Sequence, residues 1–462
     1  MTSLFSKLRP DFAPVRHSRD FRLLYTGQGL SSAGVMICYV ALPYQAYQLT
    51  RSSLIVGLLS CAELLPLLLT GLIGGALADA IERRRLILAT QAAAVCCIGG
   101  LLANALAWHL LWPLFVLAGM LAGAYGLQRP SVEVLVPRLV RHEDLPGAAA
   151  LSGLLGTASQ VGGPLIGGAL LVGGLPVAYA AGGAACALAA APFAAMRPCP
   201  PEPDAGRPSL RGLAEGLSYA RSRPDLLGTY LIDIGAMFFG APYAVFPQMA
   251  AGLGGPAVLG LLYAAPGIGS MLVSATSTWT RHVRRHGRAI ALAVAGWGVC
   301  IGGFAFAPDL PLAVLALAGA GASDMVSGIF RMTMWNQSIP SRVRGRLAGL
   351  EMISYTTGEP LGNLETGAVA ALTGSVRAAV LSGGVLSLVG AVIVTLALPA
   401  LWHYDAGTTV QLAGTPEDRA PEEEIPAAQA RAAAGSGTDF AAGASSSAAL
   451  ARHHSCPDSG SR

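Results

Sequence analysis

Residues 54–78 read LIVGLLSCAELLPLLLTGLIGGALA, a run in which Glu63 is the only charged side chain. An α-helix rises 1.5 Å per residue, so about 20 apolar residues cross the ~30 Å hydrocarbon core of a bilayer. Only helices and closed barrels satisfy their backbone hydrogen bonds in that core. The stretch therefore predicts a membrane-spanning helix, which ends at the arginines of DAIERRR at 79–85.

Runs of the same kind recur through the chain of 462 residues, of which 53% are hydrophobic and 12% charged. They predict an all-α membrane protein with twelve transmembrane helices and no folded domain in water. The eight histidines fall in loops or at helix ends, so we expect neither an enzyme nor a metal site. We place the spans near 23–48, 54–78, 86–107, 113–136, 147–171, 176–196, 226–250, 257–280, 289–307, 311–338, 347–373 and 376–400.

Lysine and arginine are distributed unevenly among the predicted loops. The N-terminus and every second loop carry 22 of them, whereas the other loops carry only Arg51 and Arg377. Positively charged loops stay in the cytoplasm. We therefore predict a multi-pass protein of the cell membrane with both termini cytoplasmic, since the N-terminus lacks the apolar core of a signal peptide. These charges sit at helix ends, so the net charge of +4 does not indicate nucleic-acid binding.

The chain resembles itself at an offset near 200 residues, where SRDFRLL at 18–24 is echoed by SRPDLL at 222–227. Two similar halves in one orientation are a layout that secondary transporters use, with the substrate site between them. The predicted domains are a cytoplasmic N-terminus at 1–22, six-helix bundles at 23–196 and 226–400, a proline-rich cytoplasmic linker at 197–225 and a disordered cytoplasmic tail at 401–462.

The loop after the second span combines glycine, an acid and arginines. Gly75 permits close approach of another helix. Asp79 can accept hydrogen bonds from the N-terminal amides of another helix, for which the helix beginning near Leu347 is the candidate. Arg83 and Arg84 follow Asp79 after a short turn. This chemistry favours a cytoplasmic gate and a solvated turn equally.

Residues 74–85 resemble the loop 2–3 signature of the major facilitator superfamily, G-x-L-a-D-r-x-G-R-R. The glutamate at 82, with FR at 21–22 and GRLAGL at 345–350, is similar to the enterobactin exporter family and related drug-efflux proteins. The resemblance covers about 18–395 and implies a transporter of two halves whose gate includes Gly345 and Arg346. The matching positions are Gly75, Leu77, Asp79, Arg83 and Arg84, whereas Ala80 replaces a basic residue and Glu82 a glycine.

The fifth predicted span contains SQVGGPLIGG at 159–168. Gly163 and Gly167 form a G-x-x-x-G face for helix contact, and Pro164 removes a backbone donor and bends the helix. Packing glycine alone is the alternative. The segment, including Gly168, resembles the motif that marks exporters in the superfamily, so the resemblance implies export.

Ionisable side chains within spans are costly in hydrocarbon and often functional. Glu63, Asp324 and Glu359 lie deepest, and each is a candidate for proton coupling or substrate binding, with a structural role as the alternative. Glu359 lies between Gly358 and Pro360, where we expect the helix to break.

Other polar residues in the spans are expected to be structural or to line the same cavity. Arg129 and Glu133 are one helical turn apart and predict a structural charge pair, and Arg331 is interpreted as a similar structural partner. Candidates for the cavity wall are Tyr44, Gln45, Gln48, Gln160, Tyr243, Gln248, Tyr355 and Asn363, with Trp335 nearer the cytoplasmic end.

We therefore predict a proton-driven secondary exporter of a small amphipathic molecule, either a siderophore or a hydrophobic antibiotic. The expected partners are this substrate, protons and the lipid bilayer, without cofactor or nucleic acid, and the protein is expected to be a monomer. No G-x-x-x-x-G-K-[ST] motif is present, so ATP is not the expected energy source. The alternatives are an importer of the same fold and a non-enzymatic membrane scaffold.

Overall fold

The computed structural model describes residues 12–199, 218, 221–339 and 341–405, with the backbone alone at 72–73, 75–80, 341–353 and 355. Over these residues the regular secondary structure is entirely helical, which confirms the all-α prediction. Residues 200–217 of the predicted linker and 406–462 of the predicted tail lie outside the described part of the chain.

Long helices follow the predicted spans, and most boundaries are displaced by only a few residues. The helices are α1 Arg19–Thr50, α2 Ser53–Ala80, α3 Arg83–Ala103, α4 Trp112–Leu139, α5 Leu145–Leu171, α6 Leu175–Ala195, α7 Pro224–Gly240 with the short helix Phe246–Leu253 after it, α8 Pro256–Ala275, α9 His286–Phe304, α10 Leu310–Ser338, α11 Ser341–Thr373 and α12 Val376–Ala397.

Side-chain caps define the start of three of these helices. Ser18 Oγ accepts from the Phe21 amide at 3.1 Å before α1. Asp309 precedes α10 and Ser375 precedes α12 in the same way. Such caps satisfy amides that the first helical turn leaves without partners.

Nine of the helices in the described part of the chain are long and apolar enough to cross a bilayer. The long helices α1, α4 and α11 are not among them. Each carries polar side chains within its predicted span, such as Gln45 in α1, Gln128 in α4 and Glu359 in α11, which lower its hydropathy. The predicted number of twelve spans stays a prediction.

Helix packing follows one pattern that occurs twice. In the first part of the chain, α1 packs on α5 and α6, α2 on α4, and α3 on α4 and α6. In the second part, α7 packs on α11 and α12, α8 on α10, and α9 on α10 and α12. The two sets meet through α2 against α11 and α5 against α8. Each of these pairs thus recurs with an offset of six helices.

Glycines allow close approach where the two sets meet. A Cβ on Gly168 of α5 would lie 2.6 Å from the Gly260 Cα of α8, and a Cβ on Gly57 of α2 would lie 2.8 Å from the Leu364 Cα of α11. Real Cβ atoms are not found so close to a backbone, so only glycine fits at these crossings.

The seventh predicted span is broken, and the prediction of one continuous helix over 226–250 is wrong. Pro242 lacks an amide donor and follows the end of α7 directly. Two side chains of α11 bind the backbone groups that the break releases. The Ala244 amide donates to Asn363 Oδ1 at 3.2 Å, and Thr366 Oγ1 donates to the Ala241 carbonyl at 2.9 Å.

The helix around Glu359 is continuous, so the predicted break there is wrong. α11 runs through Gly358 and Pro360 without interruption. A proline removes one donor from the helix ladder, and neighbouring helices can satisfy the freed groups. The Cys61 thiol of α2 lies 3.5 Å from the Pro360 carbonyl, so α2 contacts α11 at this proline.

The packed part of the chain also extends past the predicted start of the tail at 401. Leu401 and Tyr404 are buried, and the Tyr404 hydroxyl lies 3.0 Å from Ser338 Oγ of α10. A short helix at Pro399–Trp402 makes this contact possible. The apolar side chains after α12 therefore belong to the folded unit.

Candidate substrate and proton site

A cavity of about 210 Å³, here named the central cavity, lies between α1, α2, α8, α11 and the break after α7. Glu63 of α2 and Glu359 of α11 both line it. Two of the three deepest predicted carboxylates, which are almost 300 residues apart in the sequence, are thus in one cavity. Its wall also contains the predicted residues Tyr243 and Asn363.

Glu359 forms a hydrogen bond that joins the first and second sets of helices. The Tyr39 hydroxyl of α1 donates to Glu359 Oε1 at 2.8 Å. A hydrogen bond to an ionised carboxylate is stronger than one to its neutral form. The strength of this contact between α1 and α11 therefore depends on the protonation state of Glu359.

Three tyrosine rings form one side of the cavity. The Tyr39 and Tyr263 ring centroids are 5.3 Å apart at 74°, and Tyr243 lies 6.0 Å from Tyr263 at 15°. The Tyr263 hydroxyl donates to the Tyr243 carbonyl at 3.3 Å. Sequence reasoning missed Tyr39 and Tyr263, because a tyrosine in an apolar span is usually a packing residue.

Asp324 does not line this cavity and belongs to a group of charges on α7 and α10. Arg331 Nη2 lies 3.8 Å from Asp324 Oδ1, and Arg331 Nη1 pairs with Asp233 Oδ1. Arg331 and Asp233 are buried, whereas the Asp324 side chain is 43% exposed. Ser354 Oγ also donates to Asp233 Oδ2 at 3.4 Å. Breaking such a buried pair leaves an uncompensated charge, so it holds α7 and α10 together.

Polar contacts close α2 against the second set of helices on the Ser53 side of the cavity. Ser53 Oγ donates to Gln248 Oε1 at 2.8 Å, and Asn363 Nδ2 donates to Ser60 Oγ at 3.3 Å. These bonds join neutral groups. Each is worth about 0.5–1.5 kcal/mol net, so they are weak enough to separate and re-form.

A second cavity of about 560 Å³ lies within the first set, between α1, α4 and α5. Arg129 and Glu133 line it, and Arg129 Nε lies 2.8 Å from Glu133 Oε1. Their side chains are 42% and 62% exposed, so the pair contributes little to stability. Gln160 of α5 lies in the same wall.

The remaining predicted cavity residues lie elsewhere. Gln45 accepts from the buried Tyr179 hydroxyl at 2.7 Å, and Gln48 donates to Tyr44 at 2.6 Å. Trp335 is buried, and its Nε1 donates to Thr229 Oγ1 at 2.8 Å. The Tyr355 side chain lies outside the described residues.

The predicted gate is described only in part. Arg83 is 1% exposed, and Arg84 Nη2 donates to the Ala194 carbonyl of α6. These two arginines are therefore packed and are not part of a freely solvated turn. The structure describes only the backbone at Gly75, Asp79, Gly345 and Arg346, so their role stays a prediction.

The glycines of the predicted exporter motif contact two different helices. A Cβ on Gly163 would touch the Met36 side chain of α1, and one on Gly167 would lie 3.2 Å from the Ile37 Cα. Gly168 faces Gly260 of α8, as does the Pro164 carbonyl. α5 is therefore packed closely on both sides, against α1 and against α8.

A family model described as transmembrane secretion effector matches residues 10–420. The chain belongs to this family of the major facilitator superfamily. The family consists of membrane transporters, which places the chain among multi-pass proteins of the cell membrane and outside the enzyme classes. The predicted resemblance of the chain to the major facilitator superfamily is thereby confirmed.

Similar curated proteins include enterobactin exporter EntS of Shigella dysenteriae serotype 1 and of Escherichia coli K12. Each is 29% identical to this chain over 389 residues, which cover 83% of the chain and 93% of the relative. EntS of Citrobacter koseri is 28% identical, covering 81% of the chain and 91% of the relative. The similarity to the enterobactin exporter branch is therefore present along most of the chain.

Solved transporter structures share the fold. A POT family transporter in complex with 5-aminolevulinic acid superposes with a TM-score of 0.67 at 10% identity, covering 83% of this chain and 97% of that one. The nucleoside transporter NupG gives a TM-score of 0.64 at 14% identity, with coverage of 84% and 100%. At such identities the likeness concerns the fold alone.

Proposed function

We propose that the protein is a proton-driven secondary exporter of a small amphipathic molecule. The observation that carries the proposal is the shared cavity, in which Glu63 from the first set of helices and Glu359 from the second line one space. The six-helix offset in packing supports twelve crossing helices in two bundles, 23–196 and 226–400, which include α1, α4 and α11. A site between paired bundles is typical of alternating access.

Glu359 carries the coupled proton in this proposal. While it is ionised, its bond with Tyr39 holds α1 against α11. Protonation weakens that bond, because the charge that strengthens it is lost. The bundles then separate on the Ser53 side of the cavity, where the described hydrogen bonds from α2 to the second set of helices join neutral groups. A proton taken up outside is in this way exchanged for a molecule released there.

The direction of transport rests on the comparisons and the residues of α5. The family description names secretion, and the similar curated proteins are named exporters. Gly163, Pro164, Gly167 and Gly168 carry the exporter-type motif. We propose a siderophore or a hydrophobic antibiotic as the transported molecule, with the name of the relatives favouring the first.

The remaining features follow from the same proposal. Both termini, the linker at 197–225 and the tail after the folded unit lie in the cytoplasm, and the protein acts as a monomer. Arg83 and Arg84 are packed components of a cytoplasmic gate whose other members are Gly75, Asp79, Gly345 and Arg346. Asp324 acts as a second acid that Arg331 holds in place.

Reconstituted vesicles test this function. The full chain is inserted into liposomes, and a siderophore or a hydrophobic antibiotic is followed with and without an imposed pH gradient. We expect movement against the concentration gradient only when protons flow in the opposite direction. Movement in the same direction as protons would show an importer, and no movement of any compound would support the scaffold.

A further inference from the structure

Glu63 differs from the other carboxylates at membrane depth. Glu359 accepts a hydrogen bond, Asp233 and Asp324 face an arginine, and Glu133 is ion-paired. Glu63 has no hydrogen bond or ion pair with any residue whose side chain the structure describes, although it lines the central cavity. A charged group in such a place requires a counter-charge, and none of the described side chains supplies one there.

The wall of the cavity is suited to a positive charge. The rings of Tyr39, Tyr243 and Tyr263 surround it on one side. Aromatic faces carry a negative quadrupole and attract cations, most strongly where water is excluded. Tyr243 is nearly parallel to Tyr263 and Tyr39 stands at 74° to Tyr263, so the three rings of this wall are not coplanar.

No basic side chain lines this cavity among the described residues. Arg331 lies outside it and is held by Asp233 and Asp324. An anion entering the cavity would therefore meet two carboxylates and no compensating charge. A cation would meet Glu63 directly and could leave Glu359 free to exchange its proton.

We propose that this cavity binds the positively charged group of the transported molecule, with Glu63 as its counter-charge and the three tyrosines as its wall. The inference rests on the proposed export function and, of its two candidate substrates, favours the hydrophobic antibiotic over the siderophore, in the form of an organic cation such as an aromatic or alkyl ammonium compound. A cavity of about 210 Å³ is smaller than the ~300–1,000 Å³ typical of sites for drug-sized ligands. It holds the ammonium head, while the rest of the molecule extends out of it.

Binding to the purified full chain, without any gradient, tests the inference. The probe is phenyltrimethylammonium, and benzenesulfonate serves as an anion of similar size. We expect saturable binding of the cation alone in equilibrium dialysis. Glu63→Gln should weaken it by about tenfold or more, the effect of losing a close charge pair. Glu63→Asp should retain most of it, and Glu133→Gln, which removes a carboxylate outside this cavity, should bind like the unaltered protein.

A second measurement needs no substitution and applies even if Glu63→Gln does not fold. Dicyclohexylcarbodiimide modifies carboxyl groups in apolar sites, and mass spectrometry of peptides reports the extent at Glu63. Phenyltrimethylammonium should slow this modification, whereas benzenesulfonate should not. Absence of cation binding, equal binding by Glu63→Gln, or equal binding of the anion would overturn the inference. These binding measurements use no gradient, so a negative result would leave the proposal of proton-driven export intact. Conversely, cation binding without proton-driven transport would refute the export proposal and leave the inference about the cavity intact.

Discussion

At the scale of single residues, the bond between Tyr39 and Glu359 links protonation to the contact between two helices. The two residues are 320 positions apart in the sequence, and their atoms are 2.8 Å apart in the structure. The bond of Gln45 with Tyr179, in contrast, joins two helices of the same set. The Tyr39–Glu359 bond can therefore link the protonation state of Glu359 to the packing of the two sets of helices.

Replacement of Glu359 by glutamine tests this role. Glu359→Gln keeps the shape of the side chain and removes its ability to exchange a proton. We expect efflux driven by a pH gradient to fall to the rate measured without a gradient, while substrate binding is retained. Transport in vesicles and binding to the purified protein measure the two effects.

The matched control is Glu365→Gln, six residues further along α11, where Thr366 Oγ1 lies 3.4 Å from the carboxylate. This variant should keep its response to the gradient. Full gradient-driven efflux by Glu359→Gln would transfer the coupling role to Glu63 or Asp324, which the same substitution would then test.

At the scale of elements, α5 is fixed by glycine on two sides. Gly163 and Gly167 bring it against α1, and Gly168 brings it against Gly260 of α8. Van der Waals contact drives helix association in a bilayer, because lipid tails are as apolar as the helices. α5 and α8 can thus slide against each other at their crossing without breaking hydrogen bonds.

Gly168→Ala should disturb this crossing. The new Cβ would lie 2.6 Å from the Gly260 Cα, so the helices must separate. We expect a loss of about 1–3 kcal/mol in stability, as for overpacked interiors, together with a lower efflux rate. Thermal unfolding in detergent and vesicle efflux measure these effects.

Gly162→Ala provides the control within the same helix, since no atom lies within 4 Å of the position of its Cβ. It should behave like the unaltered protein or be slightly more stable, because alanine favours the helix. Equal effects of the two substitutions would show that helix propensity matters here and the crossing does not.

At the scale of the whole molecule, helix pairs recur with an offset of six helices. The α2–α11 and α5–α8 contacts are therefore equivalent to each other. Each contact joins a helix of one set to a helix of the other. A rocking motion about these two contacts would expose the central cavity to one side of the membrane at a time. The distribution of basic loops predicts the orientation of this arrangement in the membrane.

Labelling of single cysteines determines that orientation. In a background without the native cysteines, Arg51→Cys and Arg285→Cys place thiols at exposed positions before α2 and before α9. An impermeant maleimide should label position 51 in intact cells and position 285 only after permeabilisation, as expected from the positive-inside rule. Labelling of position 285 in intact cells would show that the topology is the reverse of the proposed one, and the proposed direction of export would then be wrong.

Much of the fold could be predicted from the sequence, because each span is a local property of about 20 residues. The break after α7 was missed, although Gly240, Ala241 and Pro242 signal it, since the apolar run continues through them. The positions of Glu63 and Glu359 in the middle of apolar spans could also be recognised from the sequence. Their partners could not, because Tyr39 and the pairing of Arg331 with Asp233 depend on tertiary packing. No local spacing encodes such contacts.

The break after α7 also bears on how the chain is made. Its released amide and carbonyl at Ala244 and Ala241 are bound by Asn363 and Thr366, which are synthesised 119 and 125 residues later. An unsatisfied backbone group in hydrocarbon costs several kcal/mol. During translation, water or the insertion machinery must therefore bind these backbone groups of the seventh span until the eleventh span enters the bilayer. Nascent chains interrupted before Asn363 should accordingly be preferred targets of membrane proteases.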